Sequence, residues 1–228
     1  MESVGATSVQ QIRDRIWLAI AERKLRPGTR LKEEQLAEIF SVSRARVRQA
    51  LSLLERDRLV TLIPNRGGFV AEPSVEEARD VFFARRIIEG RLVERLCERA
   101  TKADVARLRA HVAEERKAHQ ANDLSAIVRL SGGFHILVAE LAGSQYLFEV
   151  MRDLVSRTSL ITTMYQPRLT HDCGPDEHER VVDKIAKRDA AGAYADMEHH
   201  LAHVESQLDL NEAPEQPADL RAVLAPTG

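Results

Sequence analysis

Eight histidines punctuate the chain, and three of them fall where an imidazole has to be accounted for. His135 lies beside the Phe134/Val138 edge of a stripe in which Leu130, Phe134, Leu137 and Leu141 recur at intervals of three and four. His178 is in register with Val181, Val182 and Ile185, and His200 with Met197, Leu201, Val204 and Leu208. One inward imidazole is ordinarily a hydrogen-bonded core residue. Three on separate helices each need a partner, because an unpaired polar group is costly to bury. A shared divalent ion of the zinc or nickel type would satisfy all three. A competing pair, His199 and His203, is four apart on a polar face and has no third ligand nearby in sequence. Two adjacent glycines, Gly132 and Gly133, stand just before Phe134 and His135. Each costs a helix roughly 1 kcal/mol relative to alanine.

The second chemistry-bearing group is cationic. Between Ser41 and Gly68 there are arginines at 44, 46, 48, 56, 58 and 66, against only Glu55 and Asp57. Residues 1–73 hold 13 Lys/Arg against 9 Asp/Glu, a balance of +4, and the remainder holds 20 against 26, or −6. A basic front on an acidic back implies that one end alone meets a polyanion.

Positioning these groups requires two kinds of architecture. At the front, Ile12, Ile16 and Ile20 predict a helix over Val9–Glu22, which RPGT (26–29) terminates. KEEQLAEIF predicts a second, with Leu36, Ile39 and Phe40 inward. Ser43 is a good N-cap for a third, in which Val47, Ala50, Leu51 and Leu54 share a face. The short SVS connection between the last two forces a helix-turn-helix. LVTLI, PNRGG and FVA then read as a small β-hairpin, which completes a winged helix. Arg44 and Arg48 lie four apart on one helical face, with Arg46 and Gln49 on the neighbouring one. Such a helix suits a major groove, where a guanidinium pairs bidentately with guanine or grips phosphate. Asn65 and Arg66, freed by Gly67 and Gly68, are placed to reach the adjacent minor groove.

The segment LRPGTRLKEEQLAEIFSVSRARVRQALSLLERDRLVTLIPNRGGFV resembles the DNA-binding domain of the GntR family of bacterial transcription regulators. The matching elements are PG-x-x-L, E-x-x-LA, VSR-x-x-VR-x-AL and NRG-x-FV. The resemblance implies DNA contact through Ser43, Arg44, Arg48, Asn65, Arg66 and Gly67. Arg46 is a departure, since the family commonly has proline there, and it adds charge to the recognition helix.

Behind the linker AEPSVEEARD, six helical segments are expected over 75–99, 102–121, 123–142, 145–165, 175–188 and 190–210. The expected fold is therefore mainly α: an N-terminal winged helix-turn-helix (three helices plus a β-hairpin wing) over 1–72, then an all-α bundle of about six helices over 73–210. The tail 211–228, with three prolines, is expected to be mobile. ARRIIEGRLVERLCERAT, FHILVAELAGSQYL and DEHERVVDKIAKRDAAGAYADMEHHL resemble the FCD effector domain of the FadR-type branch of the same family. That resemblance implies a pocket in which an aspartate or asparagine and three histidines hold a metal, the histidines mapping onto His135, His178 and His200. The acidic or amide ligand would sit four residues before the first histidine, where this chain has Ser131. A serine implies weaker metal retention and an open position for water or an effector oxygen, or a pocket whose histidines contact an anion directly. Arg86, in RRIIE, matches the arginine that begins the family's R-x-x-[LI]-E motif, as an effector clamp or as an ion-pair partner of Glu89.

Function follows as an expectation. The chain reads as a non-enzymatic, homodimeric regulator that binds two half-sites of double-stranded DNA and senses a small organic or sugar acid. Rival readings are a metal-responsive regulator and a metal-dependent hydrolase fused to a DNA-binding module. MESVGATSVQQIRDR has no apolar core, no stretch of about 18 apolar residues occurs, and Cys97 and Cys173 form no framework. A cytoplasmic protein without a membrane partner is expected.

Overall fold

The computed structural model describes residues 7–21, 24–166, 174–210 and Leu224. The chain divides into two compact units, the first ending at Pro73 and the second beginning at Ser74. In the first, α1 (Val9–Ala21), α2 (Glu33–Phe40) and α3 (Arg44–Arg56) pack around Ile12, Ile16, Ile20, Leu36, Val47, Leu51 and Leu54, all almost fully buried. Ser41 ends α2 in the left-handed region (φ 53°), and Ser43 opens α3 by accepting a hydrogen bond from the Arg46 N–H at 3.3 Å. That turn sets the crossing of α2 and α3.

The wing holds one more strand than the sequence predicts. Strands β2 (Val60–Ile63) and β3 (Gly67–Val70) form the expected antiparallel hairpin, with Val60 opposite Val70 and Ile63 opposite Gly67. A short β1 (Arg30–Leu31) pairs with the other edge of β3, giving the order β1-β3-β2. Two residues are too few to show a period in sequence. What fixes them is the RPGT turn, where Gly28 adopts φ 75° and its N–H bonds to the Val70 carbonyl at 2.9 Å.

The second unit contains the six expected helices: α4 (Val75–Arg99), α5 (Lys102–Gln120), α6 (Leu124–Leu141), α7 (Gln145–Tyr165), α8 (Pro175–Ala186) and α9 (Ala190–Ser206). Their starts are set by side-chain caps. Ser74, Asp123, Ser144 and Asp189 each accept from a first-turn N–H, and Thr101 with Asp104 closes a reciprocal capping box. The main core joins Leu92, Val93, Leu96, Leu108, Val112, Phe134, Val138, Met151, Val182, Met197 and Leu201. Helix α4 lies closely along α9, an approach that Gly90 permits, since a Cβ there would stand 2.5 Å from the Tyr194 ring. Among the described residues α6 is long and apolar enough to cross a bilayer, yet here it buries Ile127, Phe134, His135, Val138 and Ala139 against its neighbours.

Cys97 is a buried free thiol at the α4 core face, and burial pushes its pKa up. Cys173 lies outside the described residues. So does the tail beyond residue 210, apart from Leu224, which is buried and whose carbonyl accepts from Arg15 at 2.5 Å.

Candidate metal centre and DNA-contacting helix

His135 on α6, His178 on α8 and His200 on α9 meet inside the second unit, and all three are buried. His200 Nε2 stands 3.3 Å from His178 Nε2 and 3.3 Å from His135 Nε2. Behind each ring stands a buried carboxylate. Glu89 of α4 accepts from His135 Nδ1, Glu115 of α5 from His178 Nδ1 at 2.9 Å, and Glu177 of α8 from His200 Nδ1 at 2.8 Å. An imidazole that donates through Nδ1 presents a bare lone pair at Nε2, so three acceptors face one another with no proton between them. Such an arrangement could hold a cation. Ligands ~2.05 Å from a tetrahedral ion stand ~3.3 Å apart, which is the spacing of these nitrogens.

The electrostatics agree. Burial alone would raise the Glu89 carboxyl, but Arg85 and His135 outweigh it and hold it at about 2. Glu115 is brought to about 2 against the same burial cost by His111 and His178, and Glu177 to about 2 by His200 and His203. Burial pushes His135 down to about 4 and His200 to about 3, more than their glutamates restore. The lowered carboxyls of Glu89, Glu115 and Glu177 thus stand with one buried guanidinium, Arg85, around a centre in which burial favours the neutral forms of His135 and His200. Phe134 stacks on His178, with centroids 3.9 Å apart and planes at 14°, and walls the centre on that side.

The two glycines now have neighbours. A Cβ on Gly133 would stand 3.1 Å from His111 Cε1, and one on Gly132 3.0 Å from Val155 Cγ1. Their helical cost is the condition for α5 and α7 to approach α6. His111 uses that space to bring Nε2 to 2.8 Å from the Leu130 carbonyl and 3.5 Å from Glu115. Burial lowers its pKa, but those two partners outweigh burial and leave it raised. His203, read from sequence as a polar-face residue, reaches inward to Glu177 Oε1 at 3.0 Å. His199 faces His203 ring to ring at 6.4 Å, and no grouped set of ligands forms there among the described residues.

Arg86 requires a correction. It pairs with Glu205 of α9 and not with Glu89. The residue on the face of Glu89 is Arg85, four positions before it, whose Nε donates to Glu89 Oε1 at 2.6 Å. The R-x-x-[LI]-E spacing itself counts back from Glu89 to Arg85. Arg85 is 3 % exposed, and its Nη2 is buried with no hydrogen-bond partner. Ser131 is half-buried, one turn before His135 on α6.

Sequence reasoning found the three rings and missed Glu89, Glu115, Glu177 and Arg85. The available signal was acidic residues in register with apolar ones, Glu115 with Leu108 and Val112, and Glu89 with Val93 and Leu96. Glu177, next to His178 in sequence, serves His200 on the next helix.

On the first unit, Ser43, Arg44, Arg48 and Gln49 are exposed along α3, while Arg46 is half-buried with Nη1 3.4 Å from the Thr7 carbonyl. Asn65 (φ 62°) and Arg66 are exposed at the wing tip, and Gly67 (φ 91°) is half-buried. The Arg66 guanidinium lies 5.6 Å from the centroid of the Phe69 ring, which steadies the tip. Ser43, Arg44 and Arg46 line one wall of an open cleft of about 590 Å³, and Glu34 and Glu38 of α2 line the other.

Comparison with known proteins finds a family match for each unit. Residues 8–70 match the model of bacterial regulatory proteins of the gntR family, and residues 80–203 match the FCD domain. The HTH-type transcriptional repressor RspR of Escherichia coli (strain K12) is 26% identical over 182 residues, covering 78% of each chain. The HTH-type transcriptional regulator LutR of Bacillus subtilis (strain 168) is 27% identical over 213 residues, 83% of this chain and 95% of that one. Among solved structures, a putative transcriptional regulator GntR from Rhodococcus sp. RHA1 superposes with a TM-score of 0.74 at 25% identity, over 87% of this chain and 96% of its own. E. coli McbR/YncC shares the fold with a TM-score of 0.72 at 20% identity, over 87% and 93%. The chain belongs to the GntR family of bacterial transcription regulators, in the branch that joins the winged helix to an FCD domain, and is a DNA-binding regulator of that type.

Proposed function

We propose that residues 73–210 hold a divalent ion of the zinc or nickel type through His135, His178 and His200, and that a small organic or sugar acid binding there alters operator affinity. The carrying observation is the convergence of three Nε2 lone pairs, each fixed by a carboxylate at Nδ1. When bound, the ion would supply positive charge for an effector carboxylate. Ser131, in place of an acidic ligand, leaves a position for that effector's oxygen. Arg85, with Nη2 buried and unpartnered, is a better candidate than Arg86 for its second contact.

Glu89, Glu115 and Glu177 are all engaged by histidine Nδ1 atoms. None is left to act as a general base toward a bound water, which supports sensing over hydrolysis. In the first unit, residues 1–72, Ser43, Arg44, Arg46, Arg48 and Gln49 are assigned to the DNA face with Asn65, Arg66 and Gly67 of the wing. A homodimer would present two such faces to two half-sites in the cytoplasm. Coupling between acid and DNA then follows from reciprocal linkage.

The test is elemental analysis of the purified protein, followed by operator titrations with metal alone and with metal plus a panel of small acids. A shift requiring both supports the proposal. A response to metal alone favours the metal-responsive reading, turnover of an acid the enzymatic one, and retention of no metal by the wild-type protein overturns the metal site.

A further inference from the structure

Helix α2 sends a carboxylate into the middle of the DNA-contacting face. Glu33, in the first turn of α2, accepts from Arg48 Nε at 2.9 Å and Arg48 Nη2 at 2.8 Å, a bidentate pair between α2 and α3. Arg44 Nη2 lies 3.8 Å from the same carboxylate. The Arg48 side chain is nevertheless 64% exposed, whereas that of Glu33 is 19% exposed. Arg48 chiefly, through its hydrogen bonds, and then Arg44 hold the Glu33 carboxyl below its ordinary range.

A guanidinium has five N–H donors on two usable edges. Glu33 occupies the Nε/Nη2 edge. The end-on Nη1/Nη2 edge remains, and its two parallel donors can match O6 and N7 of guanine. A free arginine on a helix swings among rotamers and settles on whichever phosphate is nearest. One gripped by a fixed carboxylate cannot, because its plane and reach are set before DNA arrives. The same negative charge weakens attraction to any phosphate, and so lowers sequence-independent binding.

We infer that Glu33 is a specificity-determining positioning residue, which aims Arg48 at a base edge and suppresses non-specific binding. The inference rests on α3 being the helix that meets DNA. It separates two effects that a mere charge would move together.

The experiment uses the full chain, a duplex selected by the wild-type protein from a random library, and a scrambled duplex of the same composition. Glu33→Gln is expected to bind the scrambled duplex more tightly and the selected one more weakly, so that the affinity ratio falls about 10-fold, the scale of one bidentate base contact. Arg48→Lys keeps the charge but loses the fork, and is expected to lower the ratio similarly. In that background Glu33→Gln should lower the ratio no further. Far-ultraviolet circular dichroism and thermal melting verify that each variant is folded. If Glu33→Gln raises both affinities in parallel, leaves the ratio unchanged, or lowers it equally with and without Arg48, the positioning role is overturned. If the wild-type protein shows no sequence preference, the reading of α3 fails and this inference with it.

Discussion

Replacing Glu115 by glutamine tests the centre without touching a ligand. Glu115 is 1% exposed and accepts from His178 Nδ1 with both oxygens, at 2.9 and 3.1 Å. Glutamine keeps the shape and removes the charge that fixes the ring's tautomer and sharpens its Nε2 lone pair. Losing such a partner weakens metal affinity about 10–100-fold. At free zinc equal to about 100 times the wild-type Kd, binding stabilises the wild-type protein by about 2.7 kcal/mol. With a 30-fold weaker site the same zinc gives about 0.9 kcal/mol by that relation. Each kcal/mol shifts Tm by roughly 2–4 °C in a protein of this size, so the zinc-induced rise should shrink from about 8 to about 3 °C. Differential scanning fluorimetry at buffered free zinc reads the shift, and competition with a chromophoric chelator gives the affinity. Glu114→Gln is the control, an exposed neighbour on α5 paired with Lys117. Equal zinc affinity in wild type and Glu115→Gln, or an equal loss in Glu114→Gln, would refute the argument that the buried carboxylate tunes the site.

Three further outcomes follow. Ser131→Asp, which returns a carboxylate to the turn before His135, should tighten zinc binding by about 10-fold or more and blunt the operator response to small acids; unchanged chelator competition would count against an open position there. In chelated protein, His135 and His200 titrate well below an ordinary histidine, so the unfolded chain takes up protons first. Stability present above about pH 6.5 should therefore fall as pH drops toward about 4 and then 3, and the lowered carboxyls of Glu89, Glu115 and Glu177 extend the loss from about 4.5 to about 2. Urea titrations across that range test this, and a flat profile between pH 6.5 and 5 would contradict it. Arg44→Gln, at an exposed residue of α3, should weaken selected and scrambled duplexes alike and reduce the slope of log K against log salt by about 1.

Periodicity carried much of this structure. The six helices of the second unit and the inward turn of His135, His178 and His200 were legible because a 3.6-residue repeat marks buried faces directly. The carboxylates behind those rings were not, because each comes from a different stretch: Glu89 is 46 residues from His135 and Glu115 is 63 from His178. Sequence spacing says nothing about such pairs until the helices are packed. Arg85 and Arg86 are adjacent, and only the roughly 100° between them on α4 separates a fully buried partner of Glu89 from a partly buried partner of Glu205. Strand β1 was invisible for a simpler reason, since its pairing is dictated by the turn that precedes it and the strand it meets.

The three braces at the centre also sort the helices. Glu89–His135 ties α4 to α6, while Glu115–His178 and Glu177–His200 tie α5, α8 and α9 into a second set. Where His135 of the first set meets His200 of the second, two Nε2 atoms face each other at 3.3 Å. The three rings thus sit along a seam, with His135 on one side and His178 and His200 on the other, and the proposed cation would be the rivet that closes it. An acid that draws the ion off centre would work this seam as a hinge, and the travel between the two halves would be the signal.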